Sequence, residues 1–471
     1  MEDFKTPGVY VREVPKFPPS VAQVETAIPA FIGYTELITY QGETLQNKPV
    51  RIASLSEYQE IFGGPYAIPV GALTLDALGK ITAGLGDLNV LQRFRLFQSL
   101  QLYFANGGGP CYIVAVNNYL SAPNTPRTAD AGELTAGVTA LSKEDEPTLL
   151  VVPDAVGVTN LANYHSILTT ALQQCFDLKD RFLIADIQTA GQASMAAAVG
   201  AFRDGIGANN LSYGAVYHPY VRTIINFTYD EAIVTINQAG TDFNGFKLSE
   251  LQAGKVVAGK TLTNTTLYES IKKEIRKQTL ILPPSPVIAG VYASVDRSRG
   301  VWKAPANVSL NFVRDLTVKM DDATQQDLNV HSTGKSVNAL RFFEGKGNMV
   351  WGARTLAGND NEWKYVSVRR FFLMVEESVK KATEPFVFES NDANTWVRVK
   401  GMIENFLFLQ WRAGALAGKK PEQAFFVHVG LNETMTALDI LEGRMIVEIG
   451  MAAVRPAEFI ILRFSHKMQE S

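Results

Sequence analysis

The chain has 471 residues, of which 46% are hydrophobic and 19% are charged, so it can build a sizeable core and is not a disordered protein. Its 44 basic and 47 acidic residues leave a formal net charge of −3, which excludes a global basic field for binding nucleic acid or an anionic membrane. Two cysteines, Cys111 and Cys175, are too few for a disulfide scaffold or a four-cysteine zinc site, and they predict buried thiols in a reducing compartment.

The sequence shows neither a secretion signal nor a membrane-spanning segment. Its first residues lack the basic and apolar regions of a signal peptide, and no run approaches the about 18 apolar residues that a spanning helix needs. We therefore expect a protein that is made and assembled in the bacterial cytoplasm, without a nucleic-acid partner and without direct membrane insertion.

Residues 1–22 predict an extended arm. Prolines exclude a helix here, and a short β-favouring run lies between them. The prolines are Pro7, Pro15, Pro18 and Pro19, and the run is Val9-Tyr10-Val11. Two placements stay open: the arm adds a strand to the open sheet edge of another subunit, or it packs as an edge strand on its own domain.

Apolar strands alternate with helices over the next two hundred residues. Strands are predicted at 30–34, 111–116, 148–154, 181–186 and 213–217, and helices at 54–64, 94–106, 164–176 and 193–202. Strands separated by helices of this length favour a parallel sheet with crossover connections. Residues 222–280 are polar and uneven, and we interpret them as an insertion.

The last hundred residues predict an α+β unit. One helix carries Phe372, Val375, Val379 and Ala382 on a single stripe, and a second helix is predicted over 396–416. Three strands are predicted after them, at 424–429, 444–449 and 458–464. Arg455-Pro456 lies just before the last predicted strand. The proline excludes a helix at this point, and the dipeptide could act as a hinge.

Nucleotide and metal sites are only partly matched by the sequence. Gly334-Lys335-Ser336 is similar to the end of a nucleotide-binding P-loop, but Asn329 stands where the first glycine of that loop belongs. The five histidines are scattered and lack the His-Glu-x-x-His spacing of a zinc site. We therefore expect no cofactor and no metal.

A serine hydrolase would need Ser, His and Asp side chains that converge. Asp154 and Asp186 lie at predicted strand ends, and His165 and His218 are available, but no Gly-x-Ser-x-Gly elbow occurs. The sequence therefore favours an assembly protein over an enzyme.

Several segments resemble contractile tail sheath proteins, in the order expected for that family. They are 6–15 (TPGVYVREVP), 26–33 (TAIPAFIG), 301–307 (VWKAPAN), 338–341 (NALR) with 351–355 (WGART), and 425–427, 443–450 and 454–460 near the C-terminus. The likeness covers both ends and most of the chain from about 283. It is weak over 120–280, and 222–280 follow no family pattern.

The resemblance implies a subunit that polymerises as a helical stack of hexameric rings around an inner tube and contracts to drive that tube through a target envelope. The partners it implies are further copies of the chain, the inner tube protein, baseplate and terminator or cap proteins, and sister sheath paralogues. A phage tail and a released or cell-anchored injection particle both fit.

The resemblance also implies which residues join neighbouring subunits, by strand donation into a shared sheet. The donor residues would be Val9, Tyr10, Val11, Phe459, Ile460, Ile461, Leu462 and Phe464, and the acceptor sheet would contain Phe425, Val427, Met445, Val447 and Ile449. Candidates for contact with the tube are Lys419, Lys420, Glu433, Asp439 and Glu442, for each of which an ordinary solvated loop is the alternative.

The expected fold is therefore a multidomain α/β and α+β protein with extended arms at both ends. The resemblance implies a subtilisin-like α/β region, in fold and not in activity. The predicted divisions are an arm (1–22), the N-terminal part of the core (23–120), the α/β region with its insertion (121–355), the C-terminal sheath domain (356–455) and a donor arm (456–471). Two other functions stay open: a serine hydrolase on the α/β region, and a non-contractile capsid or tube protein.

Overall fold

The structure is a computed structural model that describes residues 21–123 and 125–462. Among these residues the α-helices are α1 (Leu55–Phe62), α2 (Leu96–Ala105), α3 (Ala131–Ala140), α4 (Leu161–Leu178), α5 (Met195–Gly205), α6 (Leu248–Ala253), α7 (Thr265–Arg276), α8 (Ser285–Arg299), α9 (Asp322–Asn329), α10 (Val366–Thr383), α11 (Ala393–Arg412), α12 (Pro421–Ala424) and α13 (Ala437–Leu441).

The strands of the described residues are mostly short. They are β1 (Pro29–Thr35), β2 (Thr39–Tyr40), β3 (Glu43–Thr44), β4 (Pro49–Ile52), β5 (Leu73–Leu75), β6 (Ile81–Ala83), β7 (Cys111–Asn118), β8 (Leu120–Ala122), β9 (Thr125–Pro126), β10 (Leu149–Val151), β11 (Phe182–Ala185), β12 (Gly214–His218), β13 (Val221–Thr223), β14 (Thr235–Asn237), β15 (Phe246–Lys247), β16 (Lys255–Val257), β17 (Lys260–Leu262), β18 (Ile281–Leu282), β19 (Val308–Ser309), β20 (Val313–Leu316), β21 (Asn338–Phe343), β22 (Gly347–Val350), β23 (Phe425–His428) and β24 (Glu448–Met451).

The chain folds as two compact units. Within the described residues, the larger unit contains Glu25–Leu373 and 455–462, and the smaller unit contains 21–24 and Met374–Val454.

A nine-stranded sheet organises the larger unit, in the order β19-β22-β21-β12-β11-β10-β1-β7-β4. The six central strands, from β21 to β7, run parallel, while β4, β22 and β19 pair antiparallel at the two ends. Strands β1, β10, β11 and β12 are buried on both faces, as expected from their continuous apolar runs. The predicted parallel sheet is confirmed. Its strands come from both of the predicted divisions 23–120 and 121–355.

Local signals set both ends of α1, as the sequence predicts, and the start of α8, a helix that the sequence analysis did not predict. The Ser54 hydroxyl accepts a hydrogen bond from the Glu57 amide and caps α1, and Gly63 ends that helix with a positive φ of 83°. Helix α8 begins within Pro283-Pro284-Ser285-Pro286, where a proline removes no helical hydrogen bond because the first amides of a helix have no partner.

Helix α8 packs closely on α2, and a glycine permits the approach. A Cβ atom on Gly290 would lie 2.6 Å from the carbonyl oxygen of Tyr103, a distance that real Cβ atoms do not reach. Close packing of this kind at the core explains why the position carries no side chain.

The predicted insertion at 222–280 contains short elements, from β13 to β17 with α6 and α7. Strands β14 and β15 join β5 and β6 in a four-stranded sheet, and β13 pairs with β18 and β20. The side chains of Ile236, Leu248 and Ile271 are buried in the main core, so this segment is packed into the larger unit.

The smaller unit is α+β, as the sequence predicts. Asp392 caps α11 by accepting hydrogen bonds from the amides of Asn394 and Thr395, and the buried side chains of Val399, Ile403 and Phe406 follow one face of that helix. No helix among the described residues is both long and apolar enough to cross a membrane.

Two strand predictions near the C-terminus are wrong in part. The strand predicted at 444–449 begins only at Glu448 and runs to Met451, so Met445 and Val447 precede it. The strand predicted at 458–464 is not formed over 458–462, where the chain joins no sheet, and 463–464 lie outside the described residues.

Candidate assembly interface

The candidate acceptor is the two-stranded antiparallel sheet of β23 and β24. Phe425 pairs with Met451, and Val427 pairs with Ile449, so three of the five predicted acceptor residues lie in its ladder. The Phe426 ring covers Gly450, where a Cβ atom would lie 2.1 Å from the ring. In the described part of the chain each strand has one strand partner, so each keeps one edge on which a further strand can pair.

The chain after β24 stays tied to the smaller unit as far as Val454. The amide of Ala452 donates to the Ala424 carbonyl at 2.8 Å, and the amide of Val454 donates to the Ala415 carbonyl at 3.0 Å. The path of the chain is therefore set by backbone hydrogen bonds up to Val454.

Beyond this point lie the predicted donor residues of the C-terminal arm. Phe459, Ile460, Ile461 and Leu462 are 70%, 79%, 80% and 72% exposed. Four consecutive exposed apolar side chains are unusual on a soluble monomer. Phe464 and the donors of the N-terminal arm, Val9, Tyr10 and Val11, lie outside the described residues.

Just before these exposed residues, Glu458 is held by three side chains of the larger unit. Arg354 donates to both carboxylate oxygens, from Nε at 2.9 Å and from Nη2 at 2.6 Å. The Asn329 amide donates at 2.8 Å and the Tyr365 hydroxyl at 3.3 Å. We call these four residues the Glu458 clasp.

The Glu458 clasp is partly buried and rigidly supported. The side chains of Arg354 and Glu458 are 7% and 22% exposed. Burial raises the pKa of the Glu458 carboxyl, but the hydrogen bonds from Arg354 and Asn329 outweigh it and hold this pKa below its usual value. The backbone of Arg354 is fixed in turn, because the Asn338 side chain at the start of β21 accepts from its amide and donates to its carbonyl, both at 2.7 Å.

The root of the N-terminal arm is also held by a buried guanidinium–carboxylate pair. Arg370 donates to both oxygens of Asp296, at 3.0 Å and 2.6 Å, and to the Thr26 carbonyl at 2.7 Å. The Thr26 hydroxyl donates to Asp296 at 2.6 Å, and the Arg370 guanidinium lies 4.6 Å from the Tyr292 ring centre. These contacts fix the chain at Thr26, four residues after the end of the predicted arm (1–22).

The predicted tube-facing acidic residues have partners within the smaller unit. Glu433 lies 2.5 Å from His428 Nδ1, and Asp439 and Glu442 accept from Arg444 at 2.8 Å and 2.5 Å. A hydrogen bond from Thr436, the N-cap residue of α13, lowers the pKa of Asp439, which completes the capping box of that helix. Lys419 and Lys420 are exposed in the loop before α12.

The hydrolase candidates do not converge on a catalytic triad in the described residues. Asp154 accepts from the backbone amides of Tyr34 and Arg95 at 2.8 Å and 2.5 Å, which makes it a structural acceptor. Neither ring nitrogen of His218 has a hydrogen-bond partner, and burial lowers its pKa to about 4.

Asp186 has a partner that sequence reasoning missed. It accepts from the amide and the hydroxyl of Ser285, at 2.7 Å and 2.5 Å, and burial raises its pKa to about 7. Ser285 is fully buried in the first turn of α8, so its hydroxyl is unavailable to a substrate. The two residues are 99 positions apart in the chain. The only signal in the sequence is that Asp186, a polar residue, ends an apolar strand.

The side chains of the P-loop-like segment, Gly334-Lys335-Ser336, form hydrogen bonds within the protein. Ser336 Oγ donates to the Asn329 carbonyl at 2.6 Å, and Lys335 donates to the Arg203 carbonyl. The segment leads into strand β21 and not into a helix, so it lacks the geometry that cradles a phosphate. Among the described residues no group of three or more His, Cys, Asp or Glu side chains could hold a metal ion.

Comparison with known proteins places these features in a family. The model of the phage tail sheath C-terminal domain matches residues 358–467. No curated protein sequence matches the chain significantly. Among solved structures, a chain of the anti-feeding prophage helical sheath in the contracted state is 33% identical, with a TM-score of 0.64 over 99% of this chain and 100% of its own length. The chain belongs to the contractile tail sheath family.

Two further structures agree with this assignment. A chain of the anti-feeding prophage baseplate, 6-fold symmetrised, is 32% identical, with a TM-score of 0.62 over 99% of this chain and 100% of its own. A chain of the extracellular contractile injection system PVC sheath complex in the contracted state is 29% identical, with a TM-score of 0.64 over 99% of both chains. The predicted family is confirmed, and this sheath protein is a structural subunit of a contractile sheath with a mixed α/β multidomain fold.

Proposed function

We propose that this sheath protein polymerises as stacked sixfold rings around an inner tube, and that contraction of the stack drives the tube through a target envelope. The proposal rests on one observation. Nearly the whole chain is similar in structure to a subunit of a helical sheath and to a subunit of a six-fold symmetrised baseplate. The same likeness supports baseplate proteins as partners, and an inner tube protein, terminator or cap proteins and sister sheath paralogues complete the proposed assembly.

The link between copies is strand exchange through the terminal arms. Each apolar side chain of 459–462 contributes about 1.5–3 kcal/mol when it is fully buried against a neighbour. Each added ladder hydrogen bond contributes a further ~0.5–1.5 kcal/mol. The exposed run at 459–462 and the open edges of β23 and β24 supply the donor and the acceptor for such pairing.

The arms give this sheath a way to contract without coming apart. Ladder hydrogen bonds stay paired while the chain rotates at unpaired residues beside them, so rings shift and the links hold. The extended sheath is then a metastable state, held by the baseplate and the tube, that relaxes to a better-packed lattice.

The remaining divisions of the chain follow from this function. Residues 1–22 and 456–471 act as arms, 356–455 form the sheath domain, and 23–120 and 121–355 build the larger part of the subunit, including a subtilisin-like α/β region.

The particle is assembled in the bacterial cytoplasm and works as a phage tail or an injection particle. The family's structural role argues against an enzyme, and absence of labelling by a fluorophosphonate probe is the expected result.

Deletion of either arm tests strand exchange. Chains lacking 1–22 or 456–471 should remain folded monomers, by circular dichroism and gel filtration, and should form no sheath. Full-length sheaths from either truncated chain would contradict strand exchange.

Electron microscopy of the intact chain tests the sheath function itself. Helical polymers of two lengths, one extended and one contracted, are the expected images. Polymers of a single fixed length would instead indicate a non-contractile tube or capsid protein.

A further inference from the structure

We propose that Arg369 is a docking point for a carboxylate side chain of a second copy of this sheath protein. This inference rests on the proposed polymerisation, which it deepens by naming one contact between copies. The docking point consists of the Arg369 guanidinium and the two aromatic rings that hold it, those of Tyr213 and Trp363. We call these three residues, all of which belong to the larger unit, the Arg369 stack.

Arg369 differs from the other buried arginines of the larger unit. Five arginines are buried in the described part of the chain, namely Arg181, Arg203, Arg354, Arg369 and Arg370. All but Arg369 have a carboxylate oxygen within 3.0 Å, from Asp180, Asp327, Glu458 and Asp296 respectively. The Nε atom of Arg369 is shielded from solvent without a hydrogen-bond partner, and no ion pair joins its guanidinium to any described residue.

Two aromatic rings hold Arg369 in place without using its hydrogen-bond donors. Its guanidinium carbon lies 4.0 Å from the ring centre of Tyr213 and 4.5 Å from that of Trp363. The face of an aromatic ring attracts a cation, but the five N–H donors lie in the guanidinium plane and still need acceptors. A buried cation in this state is unfavourable until a partner of opposite charge arrives.

The two rings of the stack are themselves fixed. The Asp360 carboxylate accepts a hydrogen bond from the amide of Trp363 at 3.0 Å, and the Trp363 ring packs edge-on against Phe372 at 4.9 Å. Tyr213 immediately precedes β12, and its ring packs edge-on against Phe176 at 5.7 Å. Little freedom is therefore lost when a partner binds to the stack.

The chemistry of the stack fits a carboxylate on a protein surface. Arg369 is 5% exposed, so a ligand atom can reach it, and a guanidinium presents a planar fork that matches the two oxygens of a carboxylate. Arginine, tryptophan and tyrosine are also the residues that contribute most to protein–protein interfaces. Phe176 is 43% exposed beside Tyr213 and adds apolar surface to the site.

A second copy can supply the carboxylate. The 47 acidic residues of the chain outnumber its 44 basic residues, so some carboxylates of every copy have no basic partner of their own in one-to-one pairing. The chain also belongs to a family of sheath subunits, in which the neighbour of a subunit is another copy. Arg369 would therefore gain in the polymer the partner that it lacks in the monomer.

The test compares Arg369→Lys with Arg341→Lys. Arg341 is the matched control because its guanidinium also lies over a ring, that of Phe343 at 5.2 Å, but already pairs with Asp322 at 2.7 Å. Lysine keeps the positive charge and loses the planar fork. Sedimentation over a range of protein concentrations measures the critical concentration for polymerisation, and thermal melting of the monomers checks their fold.

We expect folded Arg369→Lys monomers whose critical concentration is roughly 30-fold or more above that of the wild type, because loss of a central interface arginine weakens association by about that factor. Arg341→Lys should polymerise at the wild-type concentration. An unchanged critical concentration for Arg369→Lys would overturn this proposal and leave the sheath function standing. Absence of wild-type polymers at any concentration would contradict both.

A cryo-electron microscopy map of the wild-type polymer tests the same contact without any variant. We expect a carboxylate of another copy at about 2.7–2.9 Å from a guanidinium nitrogen of Arg369. The proposal is overturned if the map shows solvent or a small anion at that place. It is also overturned if the partner is Glu362 of the same chain, an exposed carboxylate next to Trp363.

Discussion

Replacement of Asp296 by alanine should destabilise the larger unit strongly. The side chains of Arg370 and Asp296 are 3% and 6% exposed, and alanine removes both carboxylate oxygens that receive the guanidinium. It also removes the acceptor of the Thr26 hydroxyl. A buried charge that loses its partner costs about 3–5 kcal/mol, far more than a broken surface pair.

Urea unfolding of the monomer, followed by tryptophan fluorescence, measures this cost. Urea is preferred to guanidinium chloride because the latter screens ion pairs. The control is Asp322→Ala, which breaks a 2.7 Å pair with Arg341 in which the Asp322 side chain is 87% exposed, and which should leave the midpoint nearly unchanged. Equal, small shifts of the urea midpoint for both variants would refute the argument that burial determines how much the Asp296–Arg370 pair contributes to stability.

Three further predictions concern the core of the larger unit. The pKa of about 7 at Asp186 means that the folded protein keeps a proton that the unfolded chain releases above about pH 4. The free energy of unfolding should therefore fall from pH 4 to pH 7 by up to about 4 kcal/mol in the wild type, and urea titrations of Asp186→Asn should lack this component. Gly290→Ala should lower the melting temperature by several degrees through its clash with α2, whereas Gly200→Ala, in open space within α5, should raise it slightly; the reverse order in a thermal melt would contradict the packing argument. Burial raises the pKa of the thiols of Cys111 and Cys175, so Ellman's reagent should label neither until urea unfolds the chain, and rapid labelling of the native protein would contradict their burial.

Elements set by local patterns were predictable from the sequence. The strands at 111–116 and 181–186 and the capped helix after Ser54 depend on apolar runs, caps and glycines that lie next to one another in the chain. The parallel arrangement followed from the alternation of strands and helices.

Contacts between residues distant in sequence were not predictable. Glu458 meets Arg354 across 104 positions, and Asp186 meets Ser285 across 99. No local pattern indicates which of many arginines receives a given carboxylate, because the pairing depends on how the sheet orders its strands. The strand at 444–449 was misplaced for another reason, since Ile446 and Val447 favour a strand but precede the ladder with β23.

The buried pairs at Arg354 and Arg370 have a mechanical consequence. If both arms carry tension when the rings move, the pull on the C-terminal arm passes through Glu458 to Arg354, and from there through Asn338 into the edge of the parallel strands. The pull on the N-terminal arm passes through Thr26 to Arg370. Load would thus enter the larger unit through guanidinium groups, at β21 for one arm and at α8 and α10 for the other, and the backbone of the linkers would be spared from stretching.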